Sequence, residues 1–274
     1  MKFGLIGKTL GHSVSPQIHQ ILFEKLGMDH RNQYDLLEMQ RDDIKNHLCV
    51  DCGYTGMNVT IPYKIDVMPF LKEISNAADR IGAVNTIHVT NDGLFGYNTD
   101  YIGFGRSLEH AGIDIKGKHC VVLGTGGAAR AIIQWLADHD VSHITVVSRT
   151  PKQLKPSFEI FANNLGVEAI GYGVLSKRQG TQVMINCTPV GMFPNVNASP
   201  ISEETASRYE ALVDLIYNPK DTLFLKYGKK HGAITLNGMF MLVAQAIASE
   251  EIWLDRQIGN DVINSIAKEM ENAL

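Results

Sequence analysis

The chain has 274 residues, 45% hydrophobic and 20% charged, with a formal net charge of −4, which is enough to bury a full core and divide into two domains. The mild acidity, with no run of Lys or Arg, argues against nucleic acid or an anionic membrane surface as the main partner. An anionic small-molecule substrate would need locally placed donors. The first apolar run stops at Lys8 and the longest later one, residues 239–248, is interrupted by Gln245. Neither a signal-peptide core nor a membrane span is expected, and the chain is expected in the cytoplasm.

Residues 2–7 read as a first strand. A helix follows to about Leu26, with Ser15 as N-cap, Pro16 at its first position and Ile18, Ile21, Leu22 and Leu26 as its apolar face. Ser13 and Ser15 thus stand at a helix N-terminus, where two hydroxyls and the positive end of the dipole suit a carboxylate, although a capping serine is the commoner reading. Residues 34–37 suggest a second strand and 40–48 a short polar helix.

The stretch Met57-Asn58-Val59-Thr60-Ile61-Pro62-Tyr63-Lys64 reads as a strand that stops where Pro62 opens another helix. Lys64 then lies in a first helical turn, where the macrodipole disfavours its charge. Residues 82–89 read as a strand carrying Asn85, and residues 93–100 as the hairpin return ending in Asp100. Asn58, Thr60, Lys64, Asn85 and Asp100 together form a set of amide, hydroxyl, ammonium and carboxylate suited to a polyhydroxylated ring. Residues 103–111 read as a connecting helix.

The apolar run 120–123 then meets Gly124-Thr125-Gly126-Gly127-Ala128, and Ala131, Ile132, Trp135 and Leu136 take up helical spacing. Strand, glycine turn and helix in this order seat a pyrophosphate on a helix N-terminus. The next strand, 144–147, ends in Ser148-Arg149-Thr150, where an NAD site would place Asp or Glu; Arg149 with the two hydroxyls favours the 2′-phosphate of NADP. Residues 151–180 read as helix and loop. Strands at 182–187, 211–217 and 233–236 end at Thr188-Pro189, at Tyr217-Asn218-Pro219 and at Asn237-Gly238, and these ends would line the cofactor crevice of an open parallel sheet. A helix from Met239 carries Gln245 as the polar exception in its apolar run, and a last helix spans 262–274. Cys49 and Cys52 form a C-x-x-C, but no second cysteine or histidine pair completes a zinc set, so no metal is expected. Cys120 and Cys187 read as buried small hydrophobes.

In combination, Ser13-Val14-Ser15, Asn58-Val59-Thr60 through Pro62 to Lys64, Ala83-Val84-Asn85-Thr86, Asn98-Thr99-Asp100, the glycine turn, Asn186-Cys187-Thr188-Pro189 to Gly191-Met192, Tyr217-Asn218-Pro219 and Gly238 to Gln245 resemble the shikimate dehydrogenase family over nearly the whole chain. That resemblance implies an α/β protein of two domains. Residues 1–102 with 238–274 would form a mixed-sheet substrate and catalytic domain completed by C-terminal helices, and 103–237 a Rossmann-type parallel-sheet NADP domain.

The implied activity is NADP-dependent, reversible reduction of 3-dehydroshikimate to shikimate, in aromatic amino acid biosynthesis. Lys64 and Asp100 would be the catalytic pair. Ser13 and Ser15 would hold the substrate carboxylate, with Asn58, Thr60, Asn85, Tyr217 and Gln245 completing the substrate site. Gly124, Thr125, Gly126, Gly127, Ala128, Ser148, Arg149, Thr150, Thr188, Gly238 and Met241 would bind the cofactor. The family usually carries Asn-Arg-Thr at the 2′-phosphate, and Ser148 stands here in place of the Asn. The alternatives are a dehydrogenase that also takes quinate, with relaxed cofactor use, and a nucleotide-binding regulator of the same fold without turnover. The resemblance also allows a homodimer.

Overall fold

The computed structural model describes residues 1–28, 31–178 and 182–273. Two compact units emerge, Met1–Gly103 with Leu242–Met270, and Phe104–Met241 with the residues from Glu271 onward. The sequence reading puts the boundaries at 102/103 and 237/238. The return to the first unit instead comes at Leu242, and Glu271 groups with the second unit, where its carboxylate accepts a hydrogen bond from Lys220 at 2.7 Å.

The first unit runs β1 (Lys2–Gly7), α1 (Ser15–Lys25), β2 (Gln33–Glu38), α2 (Ile44–His47), β3 (Gly56–Val59), β4 (Glu73–Ile74), α3 (Asn76–Ile81), β5 (Thr86–Thr90), β6 (Gly93–Tyr97) and the start of α4 (Thr99–Ala111). Its sheet has the order β2-β1-β3-β5-β6-β4. β1 pairs in parallel with β2 and β3, while β5 runs antiparallel to β3 and β6. This is the expected mixed sheet. β1 and β3 lie inside it and are buried almost throughout, which is why both read as continuous apolar runs rather than alternating ones.

The C-terminal helices α10 (Met239–Leu254) and α11 (Asn260–Ala273) complete this unit. Trp253 of α10 stacks on Phe3 with centroids 4.9 Å apart and donates its indole N–H to the Ile87 carbonyl at 2.9 Å. A Cβ on Gly56 would sit 2.2 Å from the indole nitrogen, so only glycine leaves room for the ring.

The second unit contains β7 (His119–Leu123), α5 (Gly127–Ala137), β8 (His143–Val147), α6 (Pro156–Asn164), β9 (Glu168–Ile170), α7 (Tyr172–Leu175), β10 (Val183–Asn186), α8 (Glu203–Ala206), β11 (Ala211–Asp214), α9 (Leu223–Lys230) and β12 (Ile234–Leu236). All pairings are parallel, in the order β9-β8-β7-β10-β11-β12. That order is the doubly wound dinucleotide-binding arrangement, with its reversal between β7 and β10. β9, a short edge strand, is invisible to a periodicity argument and falls in the stretch read as helix and loop.

Four local expectations shift. α1 begins at Ser15 rather than Pro16, with Val14 as N-cap and no side-chain cap; the Ser13 hydroxyl accepts the Ser15 N–H at 3.3 Å instead. Residues 61–67 form consecutive turns, not an α-helix, ending in a single 3₁₀ turn at Met68–Phe70, so the macrodipole argument for Lys64 does not apply. Residues 82–85 precede β5 because α3 ends on left-handed Gly82. α4 starts at Thr99, which puts Asp100 in its first turn.

Candidate functional site

In the first unit the turn at 61–67 and the approach to β5 are joined by backbone, the Val84 N–H donating to the Lys64 carbonyl at 2.8 Å. This sets Lys64 beside Asn85. The Lys64 ammonium then donates to Asp100 Oδ2 at 2.5 Å, and Asn85 Nδ2 donates to Asp100 Oδ1 at 2.9 Å. The side chains of Lys64 and Asp100 are only 16% and 12% exposed, so the ammonium is held mainly by protein groups and offers its remaining hydrogens outward.

Asn85 is itself locked. Its Oδ1 accepts the Thr99 N–H at 2.7 Å, and the Thr86 and Thr99 hydroxyls lie 3.1 and 3.2 Å from it. Because a backbone N–H can only donate, the amide must present its NH₂ to Asp100. The same contact satisfies an orphan N–H at the start of α4.

Asn58 stands behind this group, 6% exposed. Its Nδ2 donates to Ser249 Oγ at 2.8 Å, Thr86 Oγ1 at 3.1 Å and the Asn85 carbonyl at 3.3 Å, and its Oδ1 accepts from the Tyr34 hydroxyl at 2.7 Å. Both amide hydrogens are engaged within the protein. The phenol of Tyr34 is pushed well above its ordinary range, first by burial and then by the Glu250 charge, with a hydrogen bond from Ser15 opposing. The Tyr34 ring stacks on His19 at 3.8 Å, and His19 Nδ1 pairs with Glu250 Oε1 at 2.7 Å, both side chains fully buried. Ser13, Ser15, Thr60 and Gln245 are half-buried; Gln245 donates to the Leu242 carbonyl at 2.9 Å. Tyr217 belongs to the second unit.

His19, Tyr34, Ser249 and Glu250 escape the sequence reading. The available signal is Ser249-Glu250-Glu251, which continues the apolar run of α10 with polar residues that are all buried. A buried carboxylate needs a partner, but nothing local in the chain identifies His19 as that partner.

In the second unit the expected cofactor residues fall at strand C-termini: Gly124 to Ala128 after β7, Ser148 to Thr150 after β8, Thr188 after β10, and Gly238 after β12 with Met241 in α10. Gly124 has φ +105°, and a Cβ there would lie 3.1 Å from Thr188 Cγ2 and 3.3 Å from the Cys187 carbonyl oxygen. The two strand ends beside the reversal therefore meet at this glycine. Gly126 caps α5 with no side-chain bond and with open space where a Cβ would stand, leaving the helix's first N–H groups available to an anion.

Asn186 Oδ1 accepts from the Thr188 N–H at 3.0 Å and its hydroxyl at 2.6 Å, while Asn186 Nδ2 donates to Asp214 Oδ1 at 3.0 Å. This buried pair orders the turn after β10. Ser148 Oγ accepts the Thr150 N–H at 3.2 Å, and Arg149 is exposed between them, its charge opposing the rise that burial imposes on the Tyr172 phenol. A glycine-lined helix start and an exposed guanidinium after the next strand fit a dinucleotide bearing an extra phosphate. Gly238 cannot carry a side chain, since a Cβ would fall 2.0 Å from the Leu215 carbonyl oxygen.

The four cysteines are free. Burial pushes the Cys120 thiol up to about 12 and the Cys187 thiol higher still, as suits small hydrophobes. Cys49 is exposed and Cys52 half-buried. Among the described residues, no helix is long and apolar enough to cross a membrane.

A model of the shikimate dehydrogenase substrate binding domain matches residues 5–87. The NADP(+) shikimate dehydrogenase of Clostridium perfringens is 41% identical over 271 residues, 98% of each chain. The crystal structure of a chorismate mutase/shikimate 5-dehydrogenase fusion protein from Clostridium acetobutylicum aligns with a TM-score of 0.92 at 44% identity, over 99% of this chain and 97% of that one. Shikimate 5-dehydrogenase from Thermus thermophilus, in complex with NADP(H) and shikimate, aligns with a TM-score of 0.85 at 30% identity over 98% and 99% of the two chains. A likeness at this identity, sustained through both units, makes this chain a member of the shikimate dehydrogenase family.

Proposed function

We propose that the protein catalyses the NADP-dependent, reversible reduction of 3-dehydroshikimate to shikimate. The observation that carries this reading is the Lys64–Asp100–Asn85 chain, an ammonium fixed by a carboxylate that is itself fixed, in a unit separate from the dinucleotide turn. Bound NADPH supplies the hydride. As the substrate ketone gains negative charge on oxygen, the Lys64 ammonium gives it a proton; in the reverse direction neutral Lys64 takes the hydroxyl proton back. Asp100 directs Lys64 and stabilises its charged form.

Ser13 and Ser15 take the ring carboxylate, while Thr60, Asn85, Gln245 and Tyr217 contact ring oxygens. Asn58, with its amide hydrogens already engaged, supports these groups from behind. The glycine turn Gly124 to Ala128 and the start of α5 hold the pyrophosphate, and Ser148, Arg149 and Thr150 hold the 2′-phosphate. Thr188, Gly238 and Met241 line the rest of the cofactor site. Four free thiols and a reduced dinucleotide suit a cytoplasmic setting.

The reading is tested by steady-state assays with NADPH and NADH, and in reverse with shikimate and quinate. Lys64→Ala should lower kcat by about 10²- to 10⁴-fold with KM much less affected; near-full kcat in that variant removes Lys64 from the role. Arg149→Ala should erode the preference for NADPH over NADH, and a wild type that prefers NADH refutes the cofactor assignment. Turnover of neither shikimate nor quinate refutes the activity itself.

A further inference from the structure

We infer that Ser249 is a positioning residue of the reaction, acting through Asn85 and Asp100 on the proton-donating Lys64; this rests on the activity proposed above. Ser249 lies one turn beyond Gln245 on α10 and is fully buried. Its hydroxyl makes four contacts: Asn58 Nδ2 at 2.8 Å, Thr86 Oγ1 at 2.9 Å, Thr99 Oγ1 at 3.2 Å and the Gln245 carbonyl at 3.1 Å.

Counting protons gives these contacts a direction. A hydroxyl has one hydrogen, and the Gln245 carbonyl can only accept, so the Ser249 proton goes there. Ser249 is then an acceptor for the Asn58 amide, a certain donor, and for one threonine hydroxyl. The other threonine hydroxyl is left for Asn85 Oδ1, whose first lone pair is taken by the Thr99 N–H at 2.7 Å. With two lone pairs on that oxygen, one N–H and one O–H fill it.

Removing the serine oxygen breaks this balance. Both threonine hydroxyls then compete for a single site on Asn85 Oδ1, and Asn58 loses its shortest acceptor. The group disturbed is the amide whose NH₂ orients Asp100 Oδ1, and through Asp100 the ammonium of Lys64. Ser249 touches no reacting atom, so its effect must pass through that pair.

The distinguishing experiment is a double-mutant cycle on the full-length enzyme. Ser249→Ala and Ser249→Cys, the latter close in shape but a poor acceptor, are made alone and in an Asp100→Asn background. Folding of each is checked by urea midpoint, and the cysteine variant carries the test if the alanine variant does not fold. Each single variant should show kcat for shikimate oxidation lowered about tenfold, the effect of roughly one lost hydrogen bond, with KM for NADP⁺ unchanged within about twofold. In the Asp100→Asn background neither should lower kcat further, because the route to Lys64 is already broken. Unchanged kcat in the single variants overturns the inference, and so does an equal fractional loss in both backgrounds, which would mark a structural role alone. Wild-type enzyme without turnover on shikimate is a different outcome, since it refutes the activity rather than the role of Ser249.

Discussion

Asp100→Asn tests the catalytic geometry most directly, because it changes charge and hydrogen-bond direction while keeping shape. Asp100 accepts on both oxygens, from Lys64 at 2.5 Å and Asn85 Nδ2 at 2.9 Å. An amide has one acceptor and one donor end, so one of the two contacts must become donor against donor whichever way it turns. Asn85 cannot turn in response, since its Oδ1 is held by the Thr99 N–H at 2.7 Å. Losing one hydrogen bond to a charged group costs about 1.5–3 kcal/mol, and each 1.36 kcal/mol on the barrier is tenfold in rate. The variant should therefore lose about 10- to 160-fold in kcat. The assay is NADPH oxidation at saturating 3-dehydroshikimate, with the urea midpoint as control for folding. A kcat within about twofold of wild type, in a folded variant, refutes the claim that Asp100 directs Lys64.

Gly124→Ala places a side chain at φ +105° and 3.1 Å from Thr188 Cγ2, a conformation costing roughly 1–2 kcal/mol for an L-residue. NADPH affinity should fall about tenfold while shikimate binding to the cofactor-free enzyme, measured by calorimetry, is unchanged; equal losses for both ligands contradict the assignment of this turn to the cofactor. Asp214 is raised to about 6, burial outweighing hydrogen bonds from Thr222, Ile216 and Asn186. With an ordinary value of 3.8, its stabilising share is complete below that pH and lost as pH rises through about 6, about 3 kcal/mol at most. The stability of wild type relative to Asp214→Asn, from urea midpoints, should therefore fall between about pH 4 and pH 7, and a flat difference would be the contrary result. Gly56→Ala should destabilise the first unit by about 1–3 kcal/mol or more through overpacking, because the added methyl meets the Trp253 indole at 2.2 Å. An unchanged midpoint would mean that the indole can move aside.

Much was legible from sequence because it is local. Apolar runs mark β1, β7, β8, β10 and β11 within about two residues at their starts, and glycines between β7 and α5 announce the anion site, since turn, strand and helix signals all arise from neighbours along the chain. Polar residues at strand ends, among them Lys64, Asn85 and Asp100, can be nominated in the same way. Their arrangement could not be. Whether residues 61–67 wind into a helix or into turns depends on the Val84 N–H that holds the Lys64 carbonyl, a contact from another segment.

The direction in which the Asn85 amide faces is decided by the start of α4, and the group behind it is closed by Ser249, 191 residues beyond Asn58 in the chain. The His19–Glu250 pair spans 231 residues. Buried polar side chains must find partners wherever the fold brings them, and those partners leave no periodic trace in the sequence. Composition and motif thus determined the class of protein and the candidate chemistry. Tertiary structure alone decided which hydroxyls, amides and carboxylates share protons, because that follows from hydrogen bonds between elements distant in the chain.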